Sequence, residues 1–168
     1  MPLRSDWSTA SCPMARSLEV LGDPWVMLIL REALTGSTRY EQFHSALRVA
    51  DNVLSLRLRA MVEAGLLERS PYRAGQRTHD EYRLTPAGAD LLPVVHALIL
   101  WGEKHRPPPD ESSRLTILHD GCGEATTSSE SCSGCGAPLH AGNVRWRRPW
   151  LGPEAVRVIE PAPVPGPR

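Results

Sequence analysis

"DNVLSLRLRAMVEAGLLER", residues 51–69, decides how the chain is read. On a helix turning 100° per residue, Leu54, Leu58, Met61 and Val62 share one face and read as core. Asn52, Ser55, Leu56, Arg59 and Glu63 fall on the opposite side. Asp51 reads as the cap that starts this helix and Gly65 as the residue just past its end. A leucine among polar groups on an outward face is either an incidental exposed side chain or a sign that the face meets something. Periodicity alone leaves both open.

Upstream, Pro13 opens a first helix after Ser11 or Cys12 and ends near Gly22. "DPWVMLILREAL" repeats the device, with Asp23 as cap, Pro24 in the first turn and a stop before Gly36. Proline suits that turn because its missing donor would be unpaired there anyway. Trp25, Leu28 and Ile29 are the expected core of this second helix. "STRYEQFHSAL" starts a short helix capped by Ser37 or Thr38, with Tyr40, Phe43 and Leu47 turned inward. Downstream, "LLERSPYR" and "HDEYRLT" flank the polar turn "AGQRT", which predicts a two-stranded hairpin. Thr85 and Pro86 then cap and open a long last helix to about His105, kinked at Pro93.

The order helix, helix, short helix, second helix after a tight turn, hairpin, long helix is that of a winged helix-turn-helix. The predicted fold is mainly α with a small β wing, followed by a small C-terminal Cys/His module. The boundaries are 11–106 for the winged helix, 107–114 for the linker "PPPDESS" with its neighbours, 115–150 for the module and 151–168 for a proline-rich tail expected to be disordered. The major groove of DNA is ~12 Å wide and accepts one helix, whose outward side chains meet base edges. Such a face is polar with a few short apolar groups, the mix that Asn52, Ser55, Leu56 and Arg59 offer. Arg57, on the flank of the core face, suits a phosphate contact.

"CPMARSLEVLGDPWVMLILREAL", "YEQFHSAL", "NVLSLRLRAMVEAGLLER" and "EYRLTPAGADLLPVVHALILWGE" together resemble the HxlR-type winged-helix transcription regulators, relatives of the MarR class. The match runs continuously over about residues 11–105. The resemblance implies a homodimer that binds double-stranded DNA at a palindromic operator, with the helix Asn52–Ala64 in the major groove. Leu56 departs from the family pattern, where a polar residue is usual. Arg39, just ahead of the short helix, joins the candidate DNA contacts. On the wing, Arg73, Gln76, Arg77 and His79 are placed for phosphate or minor-groove contact, although turns are also polar for solubility alone.

"LLPVVHALILW" in the last helix is apolar nearly all round, so it needs burial on several sides. A two-fold contact with a second copy, using Val95 and Leu98, would supply this. So would burial against the chain's own first helices. Cys12, at the start of the first helix with Arg16 one turn away, sits where amides and the helix dipole favour a thiolate. The resemblance adds that several family members sense oxidants or electrophiles with a cysteine at this position. The alternative is a small packed residue without reactivity.

"HDGCGEATTSSESCSGCGAPLH" holds His119, Cys122, Cys132 and Cys135 as H-x₂-C, nine residues, C-x₂-C. Zinc takes four nitrogen or sulfur ligands in a tetrahedron, and two such pairs supply them. A complete set would make the Zn²⁺ structural, since a catalytic zinc keeps an open position. His140 could replace His119, and a Cys132–Cys135 disulfide or a free tail are the alternatives to metal. "RWRRPW", residues 145–150, either stacks on nucleic acid or packs over the small module, the second being expected.

The 168 residues carry 19 basic and 19 acidic side chains, so net charge proposes no partner. Lys104 is the only lysine, and arginine's planar fork suits phosphates and guanine edges. "MPLRSDWSTAS" lacks the apolar centre of a secretory signal, and Leu91–Trp101 is shorter than the ~20 residues a membrane span needs. The expected setting is the cytoplasm. No nucleophile–base pair, phosphate loop or paired carboxylates stand out, so an enzyme is not expected. The competing function is a metal-handling or protein-interaction module built on the cysteine cluster.

Overall fold

The computed structural model describes residues 6–74 and 76–161. Helices α1 (Pro13–Leu21) and α2 (Pro24–Leu34) both open on proline, where a helix has amides without intrahelical partners. Cys12 is the N-cap of α1. Asp23 caps α2 by accepting the Trp25 N–H at 2.9 Å. Val26, Ile29, Leu30, Ala33 and Leu34 of α2 are buried, whereas Trp25 and Leu28 are only half-buried. The expected trio therefore meets the deep core only at Ile29. The buried arc of α2 is centred on Val26, Ile29, Leu30 and Ala33, which leaves Trp25 and Leu28 at its margin.

The helix-turn-helix pair is α3 (Tyr40–Leu47) and α4 (Asp51–Glu63). Neither starts as expected. Arg39, not Ser37 or Thr38, is the N-cap of α3, and the Gln42 side chain accepts the N–H groups of Thr38 and Arg39, both at 2.9 Å. Ala50 is the N-cap of α4. Asp51 is instead the first helical residue, and its carboxylate accepts the Tyr40 hydroxyl at 2.8 Å, joining the two helices. The end of α4 follows the sequence. Gly65 has φ +73°, its N–H reaches Val62 O at 3.0 Å, and Leu66 N–H reaches Met61 O at 2.9 Å. These two bonds satisfy carbonyls that the helix leaves open.

Strands β1 (Leu67–Ala74) and β2 (Arg77–Leu84) form the hairpin wing, in register from Leu67↔Leu84 to Ala74↔Arg77. Pairing thus extends further toward the turn than the composition suggested. Gly75 and the Arg77 side chain lie outside the described residues. Tyr82 N–H donates to Thr38 O at 2.7 Å, and Arg39 bridges Glu81. The approach to α3 therefore lies along one edge of the wing.

The long last helix is in fact two. Thr85 caps the single turn α5 (Pro86–Ala89), and α6 (Leu92–His105) begins afresh. Pro93 lies in the first turn of α6 rather than at an interior kink, the place where a missing donor leaves nothing unpaired. One side of α6 is buried through Leu92, Val95 and His96, so Val95 belongs to the chain's own core. The other side leaves Val94, Leu98 and Trp101 between 43% and 56% exposed, with Met14 and Leu18 of α1 also exposed.

A short 3₁₀ turn, Glu111–Ser113, leads to an antiparallel sheet of β3 (Thr116–His119), β4 (Val144–Arg147) and β5 (Ala155–Arg157), in the order β3-β4-β5. The ordered chain therefore runs past the expected start of the tail. Val158 is fully buried and Ile159 N–H donates to Leu34 O at 2.9 Å. Residues 162–168 of that tail lie outside the described residues. The linker does not hold the two units apart either. Ile117, Cys132, Leu139, Val144, Trp146 and Val158 join the same apolar core as the buried residues of α2, α4 and α6. Two residues of "RWRRPW" do pack inward, but onto the winged helix. Trp146 Nε1 donates to His96 Nε2 at 3.0 Å, and Arg148 Nη1 donates to both oxygens of Glu32 at 3.0 Å.

Candidate nucleic-acid interface and metal centre

Leu54, Leu58 and Met61 are fully buried and fix the roll of α4. Asn52, Ser55, Leu56 and Arg59 are then all exposed on its far side, Leu56 at 52%. In place of the phosphate contact expected of Arg57, the structure shows an ion pair with Asp23 at 2.6 Å. Asp23 thus caps α2 and anchors α4 at once. Helical periodicity placed Arg57 on a flank but could not show that a helix cap lay opposite it.

Beside α4, a hollow of about 440 Å³ opens toward the wing, lined by Ser55, Arg59, Val62, Glu63, Arg69 and Tyr82. Arg73, Gln76 and His79 are exposed on the wing. The Arg39 guanidinium lies 4.7 Å over the Tyr72 ring, a cation–π contact that holds it between the wing and the helix-turn-helix. Tyr72 was not singled out in the sequence, because nothing in a strand pattern announces such stacking. Arg59 and Arg73 have no ion-pair partner among the described residues, whereas Arg69 faces Asp80 at 3.5 Å and Arg83 pairs with Glu81. Arg59 thus offers a free cation on the exposed face of α4 and Arg73 one on the wing, although Arg16, Arg48, Lys104, Arg106 and Arg147, away from that face, also form no ion pair among the described residues.

At the other end of the chain the ligand atoms of His119, Cys122, Cys132 and Cys135 all lie within 4.8 Å of one another. His119 Nδ1 is 3.4 Å from Cys122 Sγ and 3.4 Å from Cys135 Sγ, and Cys122 Sγ is 3.6 Å from Cys132 Sγ. With zinc bonds of ~2.3 Å to sulfur and ~2.0 Å to nitrogen, tetrahedral edges are about 3.8 and 3.5 Å. The set fits. All three cysteines are free thiols, so the Cys132–Cys135 disulfide is absent. His140 turns its Nδ1 to Ala141 O at 2.7 Å and stays outside the cluster.

The cluster rests on two turns of the same construction. Gly123 N–H donates to His119 O, and Gly136 N–H donates to Cys132 O, both at 2.8 Å. The leading residue of each turn also donates its own N–H five residues on, His119 to Glu124 O and Cys132 to Ala137 O. Gly123 and Gly136 both have φ +75°, a conformation that favours glycine. Within the cluster, the Cys135 backbone N–H pointing at Cys132 Sγ pulls that thiol below its ordinary pKa.

These features define a winged helix-turn-helix transcription regulator carrying an additional cysteine–histidine unit. The chain belongs to the HxlR-like helix-turn-helix family, which it matches over residues 20–110. It is 40% identical over 131 residues to the HTH-type transcriptional regulator Rv3095 of Mycobacterium tuberculosis (strain ATCC 25618 / H37Rv), covering 78% of this chain and 82% of that one. The crystal structure of PA1607 superposes with a TM-score of 0.68 at 40% identity, covering 82% of this chain and 94% of the other. The redox regulator HypR in its reduced form gives 0.52 at 28% identity, covering 56% of this chain and 94% of its own. Among the described residues, no helix is long and apolar enough to cross a membrane.

Proposed function

We propose that the protein is a cytoplasmic, homodimeric repressor that binds a palindromic operator with α4 in the major groove. The exposed face of α4 carries this reading, because it pairs hydrogen-bonding Asn52, Ser55 and Arg59 with an apolar group that suits a thymine methyl, Leu56. Arg39, Arg73, Gln76 and Arg77 contact the backbone or minor groove from the wing side. Arg57, engaged with Asp23, is left out of the contact set.

Dimerisation uses the open faces of α6 and α1. Val94, Leu98 and Trp101 recur at i, i+4 and i+7, and Met14 and Leu18 at i and i+4, giving apolar stripes that a lone chain leaves in water. A two-fold pair would set two copies of α4 on successive turns of one duplex face. Cys12 senses oxidants or electrophiles. It is exposed at the start of α1, one of the two helices in the proposed interface, and the likeness to HypR, a redox regulator, supports the assignment. His119, Cys122, Cys132 and Cys135 hold a structural Zn²⁺, the metal favoured by a tetrahedral set of three sulfurs and one nitrogen.

Titrating duplex DNA with the protein at rising salt tests the central step. Affinity should fall linearly on logarithmic axes as counterions are released, and a specific duplex should outcompete random DNA. Binding that neither depends on salt nor distinguishes sequences would refute it.

A further inference from the structure

We infer that the cysteine–histidine centre is a brace for the DNA-binding unit, so that metal occupancy is read out in α2 and α6 and hence in DNA affinity. The inference rests on the zinc assignment proposed above and adds a mechanical link that the assignment does not require.

The link can be followed atom by atom. Cys132 is 1% exposed and lies in the apolar core that both units share. Three residues before it, the Ser129 carbonyl lies 3.2 Å from His96 Nδ1. The other ring nitrogen of His96 accepts the Trp146 indole N–H. With both nitrogens engaged, one donating and one accepting, His96 is a neutral imidazole held at 0% exposure between α6 and the module. Val95, just before it on α6, lies in the core, and Val94, one residue earlier, lies on the open face.

A second contact reaches α2. Glu32 is 4% exposed and its carboxylate is shared between Arg148 and Arg31. Arg148 Nη2 also donates to Thr35 Oγ1 at 3.1 Å. Arg148 follows directly on β4, whose register with β3 sets Val144 opposite the ligand His119.

The sheet of the module is anchored in the shared core, but the stretch that joins the two cysteine turns has little else to hold it. Between Cys122 and Cys132 the sequence "GEATTSSES" offers no large apolar side chain, so four metal bonds are the main cross-link of its two turns. Losing them would loosen Ser129 and β3. His96 would then lose Ser129 and Trp146, and Glu32 would keep only Arg31, leaving buried polar groups short of partners. Metal binding that requires the folded arrangement must stabilise that arrangement in return. The helices affected carry the α2–α4 anchor and the open apolar stripe.

The test uses the full-length protein with zinc, after chelation, and after zinc is returned. Metal content, amide hydrogen exchange and affinity for a duplex of fixed sequence are followed together. We expect one zinc per chain. Chelation should raise exchange in residues 24–34 and 92–105 as well as in 115–159, weaken duplex binding at least 10-fold, and be reversed by zinc. Trp146→Phe and Arg148→Met keep all four ligands. They should hold zinc yet raise exchange in α6 and α2 respectively. Chelation that opens only residues 115–159, with affinity unchanged, would overturn the brace and leave the zinc assignment standing. Protein without zinc under reducing conditions would overturn the assignment itself. If the chelated chain aggregates, unaltered exchange in both zinc-loaded variants would overturn the brace on its own.

Discussion

The winged helix and the appended module are stabilised by different means. Residues 13–105 bury regular apolar rows, such as Leu54, Leu58 and Met61 on α4 and Val26, Ile29, Leu30 and Ala33 on α2. The module between residues 115 and 159 contributes a few apolar residues, a cluster of one histidine and three cysteines that could hold a metal, and polar pairs buried against the helices. HypR, matched over 94% of its length by only 56% of this chain, shows that a fold of this class stands without such an appendage. Here the two are fused through Glu32 and His96.

The largest expected effect comes at that joint. Arg148→Met leaves Glu32 with Arg31 as its remaining ion-pair partner, and breaking a buried pair costs ~3–5 kcal/mol. Chemical denaturation should show a loss of that order, and a loss under about 1 kcal/mol would mean that the two units are nearly independent. Glu32→Gln together with Arg148→Met should recover part of it, since the charge then left without a partner is Arg31, which is 25% exposed and reaches solvent, rather than the buried carboxylate.

Next comes the open face of α6. Leu98→Glu places a charge in the proposed interface and should shift the protein from dimer to monomer in sedimentation at micromolar concentration. A dimer that persists would move the interface elsewhere. Val95, 4% exposed within its own subunit, belongs to the core, so a change there does not report on the interface.

Smaller effects belong to the recognition face. Arg59→Ala should weaken the preferred site by ~1–3 kcal/mol if it reads a base, with little change on random DNA. An equal loss on every sequence would make it a phosphate contact. Leu56→Gln should alter preference at one base step without changing overall affinity.

The smallest expected effect is a pH dependence at His96. Burial lowers its pKa below the ordinary value, against the opposing effect of the Ser129 carbonyl. The unfolded chain then binds a proton that the folded chain refuses. The stabilisation is therefore full above about pH 6.5 and is lost as pH falls toward the depressed folded value. Denaturation midpoints between pH 7.5 and 5.5, compared with His96→Asn at constant zinc content, should show a steeper fall in the parent. Parallel curves would show that His96 does not titrate in this window.

The same contrast explains what was legible in the sequence. The helices, wing and end of α4 follow from apolar spacing and from Pro, Asp and Gly at helix boundaries, and the ligand set follows from two short spacings. The starts of α3 and α4 were less legible, because Gln42 caps α3 from inside it and Asp51 is turned to Tyr40. The docking of the module was not legible at all. Arg148 and Glu32 lie 116 residues apart, and Trp146 and His96 lie 50 apart. No local period links such residues, so "PPPDESS" read as a separator and the chain after Trp150 as a tail. Arg57 escaped for the same reason, since its partner Asp23 is on another helix.

Selection of bound sequences from a random duplex library by the full-length protein tests the central claim most directly. A homodimer with α4 in the major groove should enrich a two-fold symmetric site whose half-sites lie about one helical turn, ~10 base pairs, apart, with preference at one step altered by Leu56→Gln. A bound pool indistinguishable from the input library would contradict it.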